Sequence, residues 1–357
     1  MIRRVVCFCC MLLLSVHVTA YTQELTFDQL MRIGRQAIDD GDYPKAESYL
    51  RVALAKADAE NSSETQMILV RADLAFLLVD VGCYSEAEKL LQRAVEMLRS
   101  QENPDKRYLI TVLINFGRLY RITQKYKEAE ALLTEARRIT DQESEPLLAA
   151  SLLSNLGALY ASTGQKKLAR TRLEEAITIY EKQRNTDRIN YARTLISLAA
   201  LYIIDKKTDD AERVLLRVLM LLESSGRSGH AEASIALNNL GMLYSINKRL
   251  PEAENAFRRG LEIRRRLFRP DNLNVAIAAF NLADVLTVQG KYEEAEALYR
   301  ESLGVREQQL GPRSFETALT LEHLAKLLRL KNEQDVKAIE ARAKSIRREG
   351  DLIRSIK

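Results

Sequence analysis

The sequence predicts an all-α protein, a solenoid of antiparallel helix pairs. Three observations carry that prediction. Apolar residues recur at the 3.6-residue spacing of amphipathic helices, and no strand-like alternation survives the comparison. A unit of about 42 residues is copied along the chain. Glycine and proline fall where such units would turn or join. The copies register on an Ala-Glu pair: Ala46-Glu47, Ala87-Glu88, Ala129-Glu130, Ala211-Glu212, Ala253-Glu254 and Ala295-Glu296, with Ala169-Arg170 as a seventh. Successive alanines lie 41, 42, 40, 42, 42 and 42 residues apart. Twelve residues before each stands a small residue: Gly34, Ala75, Gly117, Gly157, Ala199, Gly241 and Ala283. A fixed period of this length marks a solenoid whose repeats touch only their neighbours. The expected repeats are about 27–60, 65–100, 108–141, 147–182, 189–224, 231–267 and 273–309, with a degraded cap at 315–357.

The clearest copy runs from Ala231 to Phe268. Leu237, Leu240, Gly241 and Tyr244 share one face of its first helix; Ala253, Phe257, Gly260, Leu261 and Arg264 share one face of its second. Glycine inside a helix costs roughly 1 kcal/mol against alanine, so Gly241 implies close helix packing rather than a break. Gly41, Gly82, Gly164 and Gly290 fall at the turn within a repeat, where a left-handed residue ends a helix. Pro44 and Pro251 sit in the first turn of second helices, where the missing N–H costs nothing. Pro104, Pro146, Pro270 and Pro312 lie between repeats. At the last repeat Ala325 continues the first helix, but Lys337 and Ala338 replace the Ala-Glu pair. The closing stretch puts Val336, Ile339, Ala343 and Ile346 on one stripe among charges, as a solenoid cap requires.

The pattern Leu-x-x-Leu-Gly/Ala-x-x-Tyr, then Ala-Glu, then a small residue seven positions on, resembles the tetratricopeptide repeat. The 42-residue period, LNNLGMLY, and connectors such as LFRPDNLNVA and LGPRSFETA resemble the kinesin-light-chain type of that repeat. The resemblance implies a right-handed superhelical solenoid whose first helices line a concave groove. The chain departs from the family in having no tryptophan, and Thr208 and Leu250 replace the aromatic seen at Tyr43, Tyr84, Tyr126 and Tyr292.

Hydrophobic residues at 46% with 29% charged residues suit amphipathic helices and argue against disorder. The chain is 357 residues long with formal charge +5, too mild to imply nucleic acid. Residues 1–20 read as a secretory signal peptide: Arg3 and Arg4, an apolar run from Val5 to Leu14, then Val18-Thr19-Ala20. An uncleaved interfacial anchor is the alternative. The expectation is a periplasmic or extracellular protein, membrane-associated only if the leader stays. Cys7, Cys9 and Cys10 lie in the leader, so Cys83 remains alone and no internal disulfide can form after cleavage.

His17, His230 and His323 are far apart, and no HExxH, CxxC, GxSxG or Gly-rich phosphate loop occurs. No enzyme, metal or cofactor is expected. The Glu of each Ala-Glu pair reads as a first-turn carboxylate favoured by the helix dipole. Arg258, Arg259, Arg264, Arg265, Arg266 and Arg269 read as a solvated face paired with neighbouring glutamates, with an acidic partner as the alternative.

The remaining candidate is the inner wall, at positions three before and one after each small residue. The first set is Met31, Ala72, Ile114, Ser154, Ile196, Asn238 and Phe280; the second is Arg35, Phe76, Arg118, Ala158, Ala200, Met242 and Asp284. Ile114, Arg118, Ile196, Asn238, Met242 and Phe280 are the expected partner-binding residues, with Arg118 donating to a ligand carboxylate or carbonyl. An apolar strip outside the core stripe needs a partner, or else the next repeat, to cover it. The favoured function is an exported, non-enzymatic scaffold that holds a peptide or protein segment in the groove. No nucleic acid or small-molecule substrate is expected. The alternative is an assembly module that packs through its convex Arg-rich face or self-associates.

Overall fold

The structure is a computed structural model that describes residues 25–355 except 61, 142–143, 184–186 and 333–335, with side chains to residue 348. The leader expected at residues 1–20 lies outside the described residues. Sixteen α-helices and no strand occur among the described residues. The first helices of the pairs are α1 (Phe27–Asp40), α3 (Glu64–Val81), α5 (Lys106–Ile122), α7 (Pro146–Ser162), α9 (Arg188–Ile204), α11 (Ala231–Ile246), α13 (Leu273–Val288) and α15 (Phe315–Leu330). The second helices are α2 (Tyr43–Ala59), α4 (Tyr84–Ser100), α6 (Tyr126–Ile139), α8 (Lys166–Lys182), α10 (Thr208–Glu223), α12 (Leu250–Leu267), α14 (Tyr292–Leu310) and α16 (Val336–Ser355). The chain forms two compact units, one ending at Leu201 and one beginning at Tyr202, so the boundary falls in the last turn of α9. Pro146, expected in a connector, opens α7 at its first position.

Local chemistry sets the helix ends. Thr26 with Gln29, and Ser63 with Gln66, form reciprocal capping boxes before α1 and α3. The Asp42, Asp105, Asn272 and Ser314 side chains cap α2, α5, α13 and α15. The first seven turns within a repeat close the same way: a left-handed residue, then a backbone N–H bonded five residues back, as in Asp42 to Ala37, Cys83 to Leu78 and Arg249 to Tyr244, all at 2.8 Å. That is the Schellman closure, which satisfies carbonyls left over at a helix end. Gly41, Gly82, Gly164 and Gly290 take the left-handed place, as expected, but Gln124, Lys206, Lys248 and Asn332 take it in the other turns.

The small residue of each first helix marks where it crosses its partner. A Cβ added at Gly34 would stand 2.9 Å from Leu50, and at Gly117 2.7 Å from Leu133. At Gly157 it would meet Leu173 at 2.7 Å, and at Gly241 the Phe257 ring at 2.7 Å. The opposing residue is always sixteen positions on, so the period that aligns the repeats also aligns these contacts.

The Ala-Glu glutamates do more than their place in the helix dipole requires. Glu88 accepts from Lys125 Nζ at 2.6 Å, Glu212 from Arg249 at 3.0 Å, Glu254 from Lys291 at 2.7 Å and Glu296 from Lys331 at 2.6 Å. Each donor belongs to the intra-repeat turn of the next pair, so these bonds tie neighbouring repeats. Lys125 lies 4.7 Å from the Tyr120 ring centroid and Arg249 4.2 Å from that of Tyr244. Burial, then a hydrogen bond to Glu88, pushes the Tyr120 phenol up to about 12.

The units differ inside. Among the described residues, the buried polar side chains of unit one are Ser154 and Thr194, joined by a 2.8 Å hydrogen bond. Unit two buries Arg264 and Arg306 at one shared repeat position, with His230, Glu232 and several hydroxyls. Arg264 Nη1 donates to the Asn274 carbonyl at 2.9 Å, and Arg306 Nη1 to the Glu316 carbonyl at 3.1 Å, each ten residues ahead. In unit one that position holds Ala57, Leu98, Thr140 and Tyr180. Tyr180 stacks on Tyr191 with centroids 5.4 Å apart. The expected stripe of α16 packs as read: Ala343, Ile346 and Ile339 close over Ala318, Leu321 and Leu303.

Candidate functional site

The wall formed by the first helices has two kinds of position. Three residues before the small residue, Met31, Ala72, Ile114, Ser154 and Phe280 are buried, while Ile196 and Asn238 are half-buried. One residue after it, Arg35 and Met242 are exposed, and Phe76, Arg118, Ala158, Ala200 and Asp284 are half-buried. Helix geometry explains the split. The earlier position turns toward the adjoining first helix and the later one stands clear of it.

In unit one the later positions carry an ionic lattice. Arg35 Nε donates to Asp73 at 2.5 Å. Asp80 accepts from Arg118 and, at 2.8 Å, from Arg193 Nη2. Both guanidiniums lie over the Phe76 ring, at 5.3 Å and 4.8 Å from its centroid. Arg193 belongs to α9 and Asp80 to α3, so the inner wall of unit one curls until repeats three apart meet. The curl encloses a groove of about 500 Å³. Ile38, Phe76, Ile114, Leu147 and Leu148 supply its apolar lining; Arg35, Asp39, Asp73, Arg107, Glu145 and Asp187 supply its charges. An apolar groove with a few convergent polar groups is the usual form of a ligand site.

In unit two, Asn281 Nδ2 donates to Asn238 Oδ1 at 2.7 Å, and Asn238 Nδ2 lies 3.6 Å from the Met242 sulfur. Asp284 accepts from the Tyr299 hydroxyl and meets His323 Nδ1 at 2.6 Å. Burial, then Asp284, raises the Tyr299 phenol well above its ordinary range. The Phe280 ring lies 5.6 Å from Tyr299 and 4.8 Å from His323, with the Arg306 guanidinium 4.5 Å above it.

The six residues singled out from the sequence thus divide by unit. Ile114 lines the groove of unit one although nearly buried, and Ile196 is half-buried on α9. Arg118, expected as a ligand donor, has its guanidinium bonded to Asp80 and over Phe76. In unit two Met242 is exposed, Asn238 bonds across repeats, and Phe280 is enclosed by aromatic neighbours. Asp73, Asp80 and Arg193 escaped the sequence reading. Their signal is a departure from the period, charges at positions that most repeats leave uncharged.

The convex arginines are mostly held within the chain. Arg258 bonds Glu254 at 2.9 Å and Glu294 at 2.5 Å, Arg265 bonds Glu301 at 2.7 Å, and Arg269 lies 3.4 Å from Asp271. Arg264 departs from the expected solvated face. It is buried between α12 and its neighbours, where loss of solvent lowers its pKa to about 10. His230, the residue preceding α11, is buried and bonds Glu232. No cluster of three or more His, Cys, Asp or Glu fit for a metal ion occurs among the described residues. No helix among them is long and apolar enough to cross a membrane.

Comparison with known proteins agrees with this geometry. A tetratricopeptide repeat model matches residues 64–142, 148–224, 232–307 and 276–349. Regulatory protein RapG of Bacillus subtilis (strain 168) is 34% identical over 116 residues, 32% of this chain. That match spans only 31% of the length of RapG. Among solved structures, BtubC (BKLC) from P. vanneervenii superposes with a TM-score of 0.56 at 22% identity, over 64% of this chain and 92% of that one. The apo form of RapI superposes at 0.54 with 13% identity, over 89% of this chain and 85% of that one. At such identities the likeness is one of fold. Structural neighbours also include tetratricopeptide proteins of the kinesin-light-chain kind. With paired helices, a small residue at each crossing and family matches over most of its length, the chain belongs to the tetratricopeptide repeat family.

Proposed function

We propose that this protein is an exported, non-enzymatic scaffold that holds a peptide or a segment of a partner protein against the inner wall of its first helices. Ile114, Arg118 and Ile196 serve that wall in unit one; Asn238, Met242 and Phe280 serve it in unit two. One observation carries the reading. The convex Arg258, Arg265 and Arg269 are engaged in ion pairs within the chain, while inner-wall side chains such as Met242 stay open to solvent. Charges already paired offer a partner little, whereas an exposed apolar strip gains by being covered. Arg118 then acts by holding Asp80 and Phe76 in place beside the ligand. Export rests on the leader, and mature protein beginning at Tyr21 is the expected form.

Photo-crosslinking in the native cells tests the wall. A benzophenone side chain at Leu148 or Met242 is expected to capture a partner, and one at the convex Arg259 is not. Capture from Arg259 alone would move the function to the convex face. Intact-mass measurement reads export: a cytosolic chain that retains residues 1–20 would overturn that part.

A further inference from the structure

Twelve large hydrophobic side chains are exposed among the described residues, and eleven of them lie in unit two. Six of them, on α11, α13 and α15, share three repeat positions, whereas Leu216, Met220 and Leu310 lie on second helices. Ile235, Met242 and Ile246 lie on α11, Ile277 and Val288 on α13, and Leu330 on α15. Relative to the small residue of each repeat these are positions six before, one after and five after. In unit one the same positions line the groove: Thr111 and Ser151 at six before, Arg35 and Phe76 at one after, Asp39 at five after. These six exposed residues of unit two therefore face the equivalent inner wall. Their exposure is large where the wall ends, 67% for Ile246 and 69% for Val288.

The rows at six before and five after are eleven residues apart on one helix, or about 16 Å at the α-helical rise. An α-helix with side chains is about 10–12 Å across, so one laid across these first helices fills most of the span between the rows, over Met242. The charge of the wall selects among helices. Lys206 and Lys248 stand exposed beside the outer row, and Lys326 is exposed one after Ala325. Of the carboxylates at these positions, Asp284 faces His323, and Glu322 accepts from Arg347 at 2.8 and 2.9 Å. Lys206 and Lys248 hold φ near 58°, the left-handed region where glycine is cheapest.

We infer that the inner wall of unit two docks an amphipathic α-helix with an aliphatic stripe and acidic flanks, which rests on the groove reading above and adds the place and chemistry of the ligand. The aliphatic stripe covers the two rows and Met242, and the acidic flanks meet Lys206, Lys248 and Lys326.

Fluorescence anisotropy on the protein as isolated tests this with lactam-stapled leucine–glutamate helices carrying leucine at i, i+3, i+4 and i+7. The leucine–glutamate helix is expected to bind at least about tenfold more tightly than its leucine–lysine counterpart, the scale of a lost interface anchor. Ile246→Glu with Val288→Glu should remove that binding. Lys248→Gly should weaken it and flatten its salt dependence without lowering the thermal midpoint, because glycine suits that turn. Leu148→Glu in unit one should leave it unchanged. Equal or tighter binding of the leucine–lysine helix, or unchanged binding by the unit-two variants, overturns the inference. In the crosslinking experiment the two readings part. Partner capture lost with Leu148→Glu but kept with Ile246→Glu and Val288→Glu retains the groove function and rejects this site; capture indifferent to both rejects both.

Discussion

Unit one and unit two are built from one repeat, yet they place their charges oppositely. In unit one the inner wall is ionic, with Arg35 on Asp73 and two guanidiniums on Asp80, and the packing between helices is almost wholly apolar. In unit two the inner wall is aliphatic, and charge has moved into the packing as Arg264 and Arg306. The contrast separates what the repeat must conserve from what it is free to vary. The helix crossing at the small residue is common to both. The position eleven after the Ala-Glu alanine tolerates side chains from alanine and threonine up to tyrosine and arginine, provided that no backbone carbonyl is orphaned. Leucine, tyrosine and arginine each meet that condition.

The largest effect should strike the shared element. Gly117→Leu in unit one and Gly241→Leu in unit two should each cost about 3 kcal/mol, since even a Cβ meets Leu133 or Phe257 at 2.7 Å. Urea unfolding measures it. An unchanged midpoint in either variant means that the crossing is not equivalent in the two units.

Next come the buried arginines. Arg264→Ala should cost about 2 kcal/mol, by leaving a cavity and depriving the Asn274 carbonyl of its donor. Arg264→Met should cost clearly less, because it fills the space without the desolvation of a charge. If both substitutions cost the same, packing volume is irrelevant there and the hydrogen bond alone sustains the arginine.

Acid should then separate the units. Hydrogen bonds from Arg258, Lys331 and Arg347 hold Glu294, Glu296 and Glu322 below the ordinary glutamate range in unit two. In unit one Arg51 does the same for Glu86. A carboxyl whose folded pKa is depressed stabilises the fold above its unfolded pKa, about 4.3, and loses that contribution as the pH falls through the folded value. Unit two should therefore open first below about pH 4.3. Hydrogen exchange by mass spectrometry at stepped pH reads this directly, and simultaneous opening would remove the electrostatic distinction.

The smallest effect belongs to exposed pairs. Arg99, 54% exposed and 2.7 Å from Glu135, should change stability by no more than about 0.5 kcal/mol when replaced by alanine. A larger loss by thermal melting would mean that surface pairs of unit one contribute more than screening allows.

Periodicity made the helices, the crossing residues and the capping stripe of α16 legible. The wall was legible only in part. Its register could be counted from Gly241 or Ala283, but burial at that register depends on the neighbouring helix, which the count does not contain. Thus Met242 stays exposed while Phe280, counted onto the same wall, is enclosed by Tyr299, His323 and Arg306. The glutamates of the Ala-Glu pairs read as helix-dipole residues because their donors lie 35 to 37 residues ahead. No local rule joins positions so far apart.

By itself, the sequence determined the all-α class, the repeat length, the place of each turn and the need for a small residue at every crossing. These follow from the helical period and from steric limits that act within one repeat. Tertiary structure decided that Arg193 would reach Asp80 across 113 residues, that Arg264 would be buried rather than solvated, and that unit two would keep its aliphatic wall open. Each of those depends on how repeats stack and curl. Stacking sums small displacements over many residues, so it is fixed by packing between helices and not by any motif within them.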